Sequence, residues 1–173
     1  PKLVKLPPAM KAKSVKASRN ETLAGVVRNA CAILKAAEKD LNALDAKVGD
    51  GDTGSTMATA ARHLEGSLSK LPLARQEQFF AALSDAMTRS MGGSSGVLLA
   101  IFFAAAAQSQ GGWQQALKAG LDRMMEYGGA RPGDRTMIDA LVPAIAELSK
   151  SGSVAAAAKA ARKGADATAG MAR

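Results

Sequence analysis

A chain of 173 residues, 47% of them hydrophobic, is no disordered polymer and suits one domain with its own core. Its net charge of +8 comes from 23 Lys and Arg against 15 Asp and Glu, yet six of the basic residues and no acid lie in positions 1–20. Taking those six away leaves 17 against 15, so the domain has no basic surplus of the kind nucleic-acid binding needs, and no nucleic-acid partner is expected.

Residues 1–20, PKLVKLPPAMKAKSVKASRN, carry adjacent prolines and no helical period, and read as a linker or extended arm. From Glu21 the apolar residues Leu23, Val26, Val27, Ala30, Cys31 and Leu34 repeat at helical spacing. This predicts a first helix from Glu21 to about residues 43–46, with Asn20 at its start. Cys31, the single cysteine, excludes a disulfide framework and a cysteine-built metal site, and its apolar neighbours make it a buried thiol. A second helix is expected from Ser55 or Thr56 to Leu71–Pro72, with His63 in a surface or packing role. A third covers 74–90, with Phe79, Phe80, Leu83, Ala86 and Met87 as its apolar stripe. MGGSSG interrupts at 91–96. The segment VLLAIFFAAAA that follows is apolar on every side, which predicts the central, most buried helix. A fifth helix is expected over 112–127, a sixth over 135–150 and an alanine-rich seventh over 153–172.

No strand, hairpin or internal repeat is legible, so the fold class is all-α: an antiparallel helical bundle or barrel of seven helices with short loops. The longest apolar run is too short to span a membrane and no secretory signal pattern opens the chain, so a cytoplasmic protein without a membrane partner is expected. Glycine marks three loops, at 49–54, 92–96 and 127–137. Consecutive members of this set are two helices apart, and alternate loops of an up-and-down bundle share one end. All three are therefore expected together.

The first loop, AKVGDGDTGSTM, spells G-x-G-x-x-G at Gly49, Gly51 and Gly54. A dinucleotide fold would need a strand before it, and here a helix precedes it. An EF-hand register from Asp50 puts Ser55 where glycine is required and Ala61 where glutamate is required. No P-loop lysine follows. What remains is Asp45, Asp50 and Asp52 around a helix end. Asp45 sits in the last turn, where the helix dipole disfavours a carboxylate, so it needs a compensating charge. Three hard oxygen donors suit Mg²⁺ bridging to phosphate, whereas each aspartate taken alone is an ordinary turn former or cap. Thr53, Ser55 and Thr56 open a helix whose N-terminus favours anions, and Ser94 and Ser95 repeat that chemistry. In ARPGDRTM, Asp134 is expected to cap the sixth helix and Arg135 to be a solvated charge, while Met137 suits either a base ring or the core. No Ser-His-Asp arrangement appears. Metal-assisted phosphoryl transfer, which rests on positioning and charge neutralisation, needs none.

LNALDAKVGDGDTGSTM, MGGSSGVLLAIFFAAAAQ and ARPGDRTMIDALVPA together resemble the nucleotide-binding domain of dihydroxyacetone kinases, over a span from about residue 21 to the C-terminus. The resemblance implies an eight-helix antiparallel barrel with a nucleotide at one end. It implies that Asp45, Asp50 and Asp52 bind two Mg²⁺ ions holding the phosphates of ATP or ADP. Thr53, Gly54, Ser55, Thr56, Met57, Gly93, Ser94, Ser95 and Met137 would then contact the nucleotide. It further implies transfer of the γ-phosphate to dihydroxyacetone held by a separate substrate-binding domain, and a homodimeric full-length protein.

GDGDTG resembles the kinases that use free ATP rather than the phosphotransferase-dependent ones, which carry His where Thr53 stands, and the basic arm resembles the linker of the former. The family pattern continues past Arg173 with a last helix, so 21–173 is expected to be an ATP-binding domain incomplete at its C-terminal end. Three other readings stay open: the nucleotide domain of a fatty acid kinase, which carries a similar DGDTG loop, an FMN-cyclising relative, and a non-catalytic helical adaptor.

Overall fold

The computed structural model describes residues 16–171. Most of the expected 1–20 arm therefore lies outside the described residues. Its last part is not free: Ser18 donates its N–H to Leu71 O and accepts from Leu73 N, both at 3.2 Å, and its hydroxyl accepts from Ala74 N at 2.9 Å. Apart from the isolated bridge this makes with Pro72, the described residues hold no β-structure.

Eight α-helices follow one another: α1 Glu21–Ala36, α2 Glu38–Asp45, α3 Thr53–Ser67, α4 Gln76–Ser90, α5 Gly93–Gln108, α6 Trp113–Gly128, α7 Ile138–Ser151 and α8 Val154–Ala167. The all-α reading holds, with one helix more than the seven expected. The first helix divides at Ala37, whose N–H reaches both Ile33 O and Lys35 O. Two ion pairs to α3 bracket the break, Lys35–Glu65 at 2.5 Å and Arg62–Glu38 at 2.6 Å. Asn20 caps α1 as expected, accepting from Leu23 N at 3.0 Å. No helix among the described residues is long and apolar enough to cross a membrane.

α1 and α2 lie along α3, α4 and α6 flank α5, and α7 pairs with α8. Small residues let α3 come close: Ala58 and Ala61 have no exposed surface. Phe79, Phe80 and Leu83 of α4 meet Val27 and Cys31 of α1 in the first core cluster. The Phe80 ring meets Trp113 edge-on at 5.0 Å, and Phe102 meets Phe103 the same way at 5.3 Å. Phe79, Phe80 and Phe102 are each 5% exposed or less, which contributes about 1.5–3 kcal/mol per ring. Burial pushes the Cys31 thiol above its ordinary value, and the nearby Glu65 carboxylate adds to that.

The expectation that the VLLAIFFAAAA helix is the most enclosed is corrected. Of α5 only Gly96, Phe102 and Ala106 are buried, and Val97 is 60% exposed. Two flanking helices cover two of its sides, and its third lines a shallow apolar groove with α4. α5 also begins before the expected 97, taking Ser94 and Ser95 into its first turn.

α7 starts at Ile138 rather than 135, and the loop before it is organised around Asp139. This carboxylate is buried and accepts from Gly133 N at 2.5 Å and Thr136 N at 2.8 Å. Those two N–H groups hold its pKa below the usual carboxylate value, against the opposing pull of desolvation. Asp134, expected to cap this helix, instead accepts from Arg131 N at 2.7 Å and closes a turn. Thr136 supplies the cap, accepting from Ile138 N at 3.2 Å. Further along, Pro143 lies inside α7 and cannot donate to Asp139 O. That carbonyl faces Gly164 of α8, where an added Cβ would lie 2.1 Å from it.

Two predictions follow from this packing. Gly164→Ala must part α7 from α8 and should cost roughly 1–3 kcal/mol in urea denaturation, whereas Gly25→Ala, with nothing within 4 Å of the new methyl, should add up to about 1 kcal/mol. Because the Asp139 pKa is lowered by folding, its contribution is complete above the ordinary carboxylate range and is lost as pH falls through the depressed folded value. Asp139→Asn should therefore lower the urea midpoint clearly at pH 7 and progressively less below about pH 4.

Candidate metal and phosphate site

α2 is short and ends on Asp45, and the chain must reverse within seven residues to begin α3. The Asp45 carboxylate directs that reversal. Its Oδ2 accepts from Gly51 N at 3.0 Å, Asp52 N at 3.1 Å and Thr53 N at 3.4 Å. The loop can wrap this closely because Gly51 takes φ +79°. Gly49 has no room for a side chain, since a Cβ there would stand 2.6 Å from Asp45 Oδ1. The charge that the C-terminal end of α2 disfavours is thus balanced by backbone donors rather than by a cation side chain.

The wrap brings Asp50 and Asp52 beside Asp45, with one carboxylate oxygen from each of the three within 4.8 Å of the others. Asp45 is half-buried, and Asp50 and Asp52 are exposed. Desolvation is the strongest single influence on Asp45 and acts upward, but the loop N–H groups together outweigh it and hold the pKa low. Asp52 moves the other way: the Asp50 carboxylate, then desolvation, then Asp45 push it up. Three hard oxygen donors held this close, with Asp52 pushed up by the charge of its neighbours, fit a divalent cation such as Mg²⁺. Asp52 stands at the N-cap of α3 but makes no side-chain cap bond there, which leaves its carboxylate available.

A cleft of about 300 Å³ opens above the trio. One wall is the start of α3, with Thr53, Thr56 and Met57, and the other is the start of α5, with Gly92, Gly93, Ser94 and Ser95. Two helix N-termini therefore frame one cavity whose floor holds three carboxylates, an arrangement suited to a polyanion carried with its metal.

Nine of the twelve residues singled out from the sequence line this cleft: Asp45, Asp50, Asp52, Thr53, Thr56, Met57, Gly93, Ser94 and Ser95. The other three lie elsewhere. Gly54 is pressed on α2, where an added Cβ would lie 2.0 Å from Glu38 O. Ser55 turns the same way, its N–H donating to Asn42 Oδ1 at 3.0 Å and its hydroxyl accepting from Asn42 Nδ2 at 2.9 Å. Met137 packs on the second core cluster, which holds Phe102, Leu121, Met124, Ile138 and Ile145, and does not line the cleft. Sequence reasoning missed Asn42 and Asp139. The available signal for Asn42 was its position three residues before Asp45, on the same helix face.

Comparison with known proteins finds relatives that share this fold. A dihydroxyacetone kinase of Citrobacter freundii is 53% identical over 136 residues, which make up 76% of this chain and 25% of that kinase. The human triokinase/FMN cyclase is 43% identical over 138 residues, 76% of this chain and 24% of that protein. The chain thus spans about a quarter of the length of these relatives. The crystal structure of the C. freundii dihydroxyacetone kinase in complex with AMP-PNP and Mg²⁺ overlays 97% of this chain with a TM-score of 0.91 at 44% identity, using 33% of that kinase chain. Residues 47–173, from the aspartate loop through α8, match the DAK2 domain, and the chain belongs to that family.

Proposed function

We propose that this chain is the Mg²⁺·ATP-holding domain of a dihydroxyacetone kinase, and that the γ-phosphate it presents passes to dihydroxyacetone held by a separate substrate-binding domain. One observation carries the reading: three carboxylates converge at the foot of a cleft framed by two helix N-termini, in a fold shared with a kinase solved with AMP-PNP and Mg²⁺. That relatives are about four times as long as the matched segment supports a second domain in the same polypeptide. We place the full-length protein in the cytoplasm as a homodimer, with two Mg²⁺ ions in the site.

Asp45, Asp50 and Asp52 would hold the metal, which neutralises phosphate charge and fixes the leaving group when bound. Asp45 would have two tasks, organising the loop through Oδ2 and lending its carboxylate to the metal trio. The backbone N–H groups opening α5, with the hydroxyls of Thr53, Thr56, Ser94 and Ser95, would orient the phosphates. We assign Met57 to the apolar side of the nucleotide. We assign no general base to this chain, and place acceptor activation on the substrate domain. A second reading, a cyclising activity on flavin nucleotides at this same site, is favoured by the likeness to the human triokinase/FMN cyclase.

Calorimetry with AMP-PNP should show binding in Mg²⁺ and none in excess chelator. Asp50→Asn and Asp52→Asn should weaken binding by at least on the order of tenfold, the loss that outer-shell changes alone produce at metal sites, with little change in the thermal midpoint. Asp45→Asn should lose both affinity and thermal stability, because it also weakens the acceptor for three loop N–H groups. Binding that is indifferent to Mg²⁺ and to all three substitutions would refute the reading in favour of a helical adaptor.

A further inference from the structure

We infer that Asn42 is a positioning residue for the phosphate side of the cleft. This rests on the nucleotide-binding reading above. The start of α3 presents Thr53 and Thr56 to the cavity, and its formal N-cap residue makes no side-chain cap bond. The capping is done from another helix. Asn42 and Asp45 lie three residues apart on one face of α2, and between them they take up the N–H groups of Thr53 and Ser55. Asn42 does so with both ends of its amide, accepting from Ser55 N and donating to Ser55 Oγ. The interaction is partly buried, and a planar amide held at two points fixes rotation as well as distance.

Its neighbours remove the remaining freedom. Gly54 sits on the Glu38 carbonyl with no space for a methyl, and the ideal Cβ there would also lie 2.6 Å from Asn42 Oδ1. The first turn of α3 is therefore seated against α2 by contacts on its inner side, and its outer side, with Thr53 and Thr56, faces the cleft. Asn42 touches neither the cleft nor the carboxylates. Its influence passes through Ser55 to the orientation of the Thr53 and Thr56 side chains on the cleft side of the turn. Glu38, one turn earlier on α2, makes a control: its ion pair with Arg62 holds the same seam but lies away from the start of α3.

The test is calorimetry of Mg²⁺·AMP-PNP binding at a temperature where each variant is fully folded by circular dichroism. Asn42→Ala should bind on the order of ten- to a hundredfold more weakly than the unsubstituted chain, the range for residues acting through a neighbour at a metal site. Glu38→Gln should lower the thermal midpoint while leaving affinity within twofold. Ser55→Ala removes only the hydroxyl half of the clamp, should bind at least threefold more weakly, and carries the test if Asn42→Ala does not fold. Asn42→Ala with Ser55→Ala should bind no more weakly than Asn42→Ala alone, since the two act as one unit. Folded Asn42→Ala that binds within twofold of the unsubstituted chain overturns the inference. So does Glu38→Gln losing as much affinity as Asn42→Ala, which would make the clamp simply part of the seam. An unsubstituted chain that binds no Mg²⁺·AMP-PNP overturns the underlying reading and the inference with it.

Discussion

A single carboxylate oxygen decides how the candidate site is built. Asp45 Oδ2 gathers three consecutive N–H groups of the chain that turns around it. Those donors would otherwise sit unpaired at the entry to α3, and the carboxylate would otherwise sit unbalanced at the exit of α2. A helix end and a helix start, each with orphan polar groups, satisfy each other through one side chain. Gly49 and Gly51 are the steric condition for this closure, one for space and one for its backbone angle. Because the loop closes on Asp45, Asp50 and Asp52 are brought close enough to repel each other. Folding thus assembles a charge conflict that a divalent cation resolves.

The α2–α3 seam turns that local closure into a fixed platform. It is held by an amide clamp at one end, by close backbone approach at Gly54, and by an ion pair beside the Ala37 break. An exposed ion pair alone contributes little to stability, about 0–1 kcal/mol. The tight contacts at Gly54 and the small side chains along α3 therefore carry the placement. Across the cleft, α5 is set by a similar device. Gly96 lies so close to Met91 that a Cβ would meet its Cβ and carbonyl at 2.7 Å, which seats the first turn of α5 on the end of α4.

Much of this was legible from the amino-acid sequence, for identifiable reasons. Helical periodicity located α1 and α4, because an amphipathic stripe such as Phe79–Phe80–Leu83–Met87 has few alternatives in an alanine-rich chain. The aspartate loop stood out because charge among glycines is unusual wherever the loop is only a turn. The break at Ala37 left no signal: alanine favours helix, and it is tertiary ion pairs to α3 that bracket it. The roles of Gly54 and Ser55 were equally hidden, since spacing shows that they open α3 but not which side of the helix meets α2. VLLAIFFAAAA misled for a related reason. Uniform apolarity says that a helix can be buried all round, whereas the neighbours actually present cover only part of it. Asp134 looked like the cap of its helix, and only the folded loop shows that the buried Asp139, which nothing in the sequence singled out, gathers the backbone.

Cys31 gives the core a built-in reporter. It is the chain's sole thiol, 2% exposed at the meeting of α1, α3 and α4, and its raised pKa leaves little thiolate while it stays buried. A thiol reagent can reach it only when the packing of α1 against its neighbours opens, so the labelling rate reads the free energy of that opening. The same helix runs into the Ala37 break and so into α2, which carries Asp45. Solvent access at one buried sulfur atom is therefore a clock for motion transmitted to the aspartate loop, readable without attaching any probe to the cleft itself.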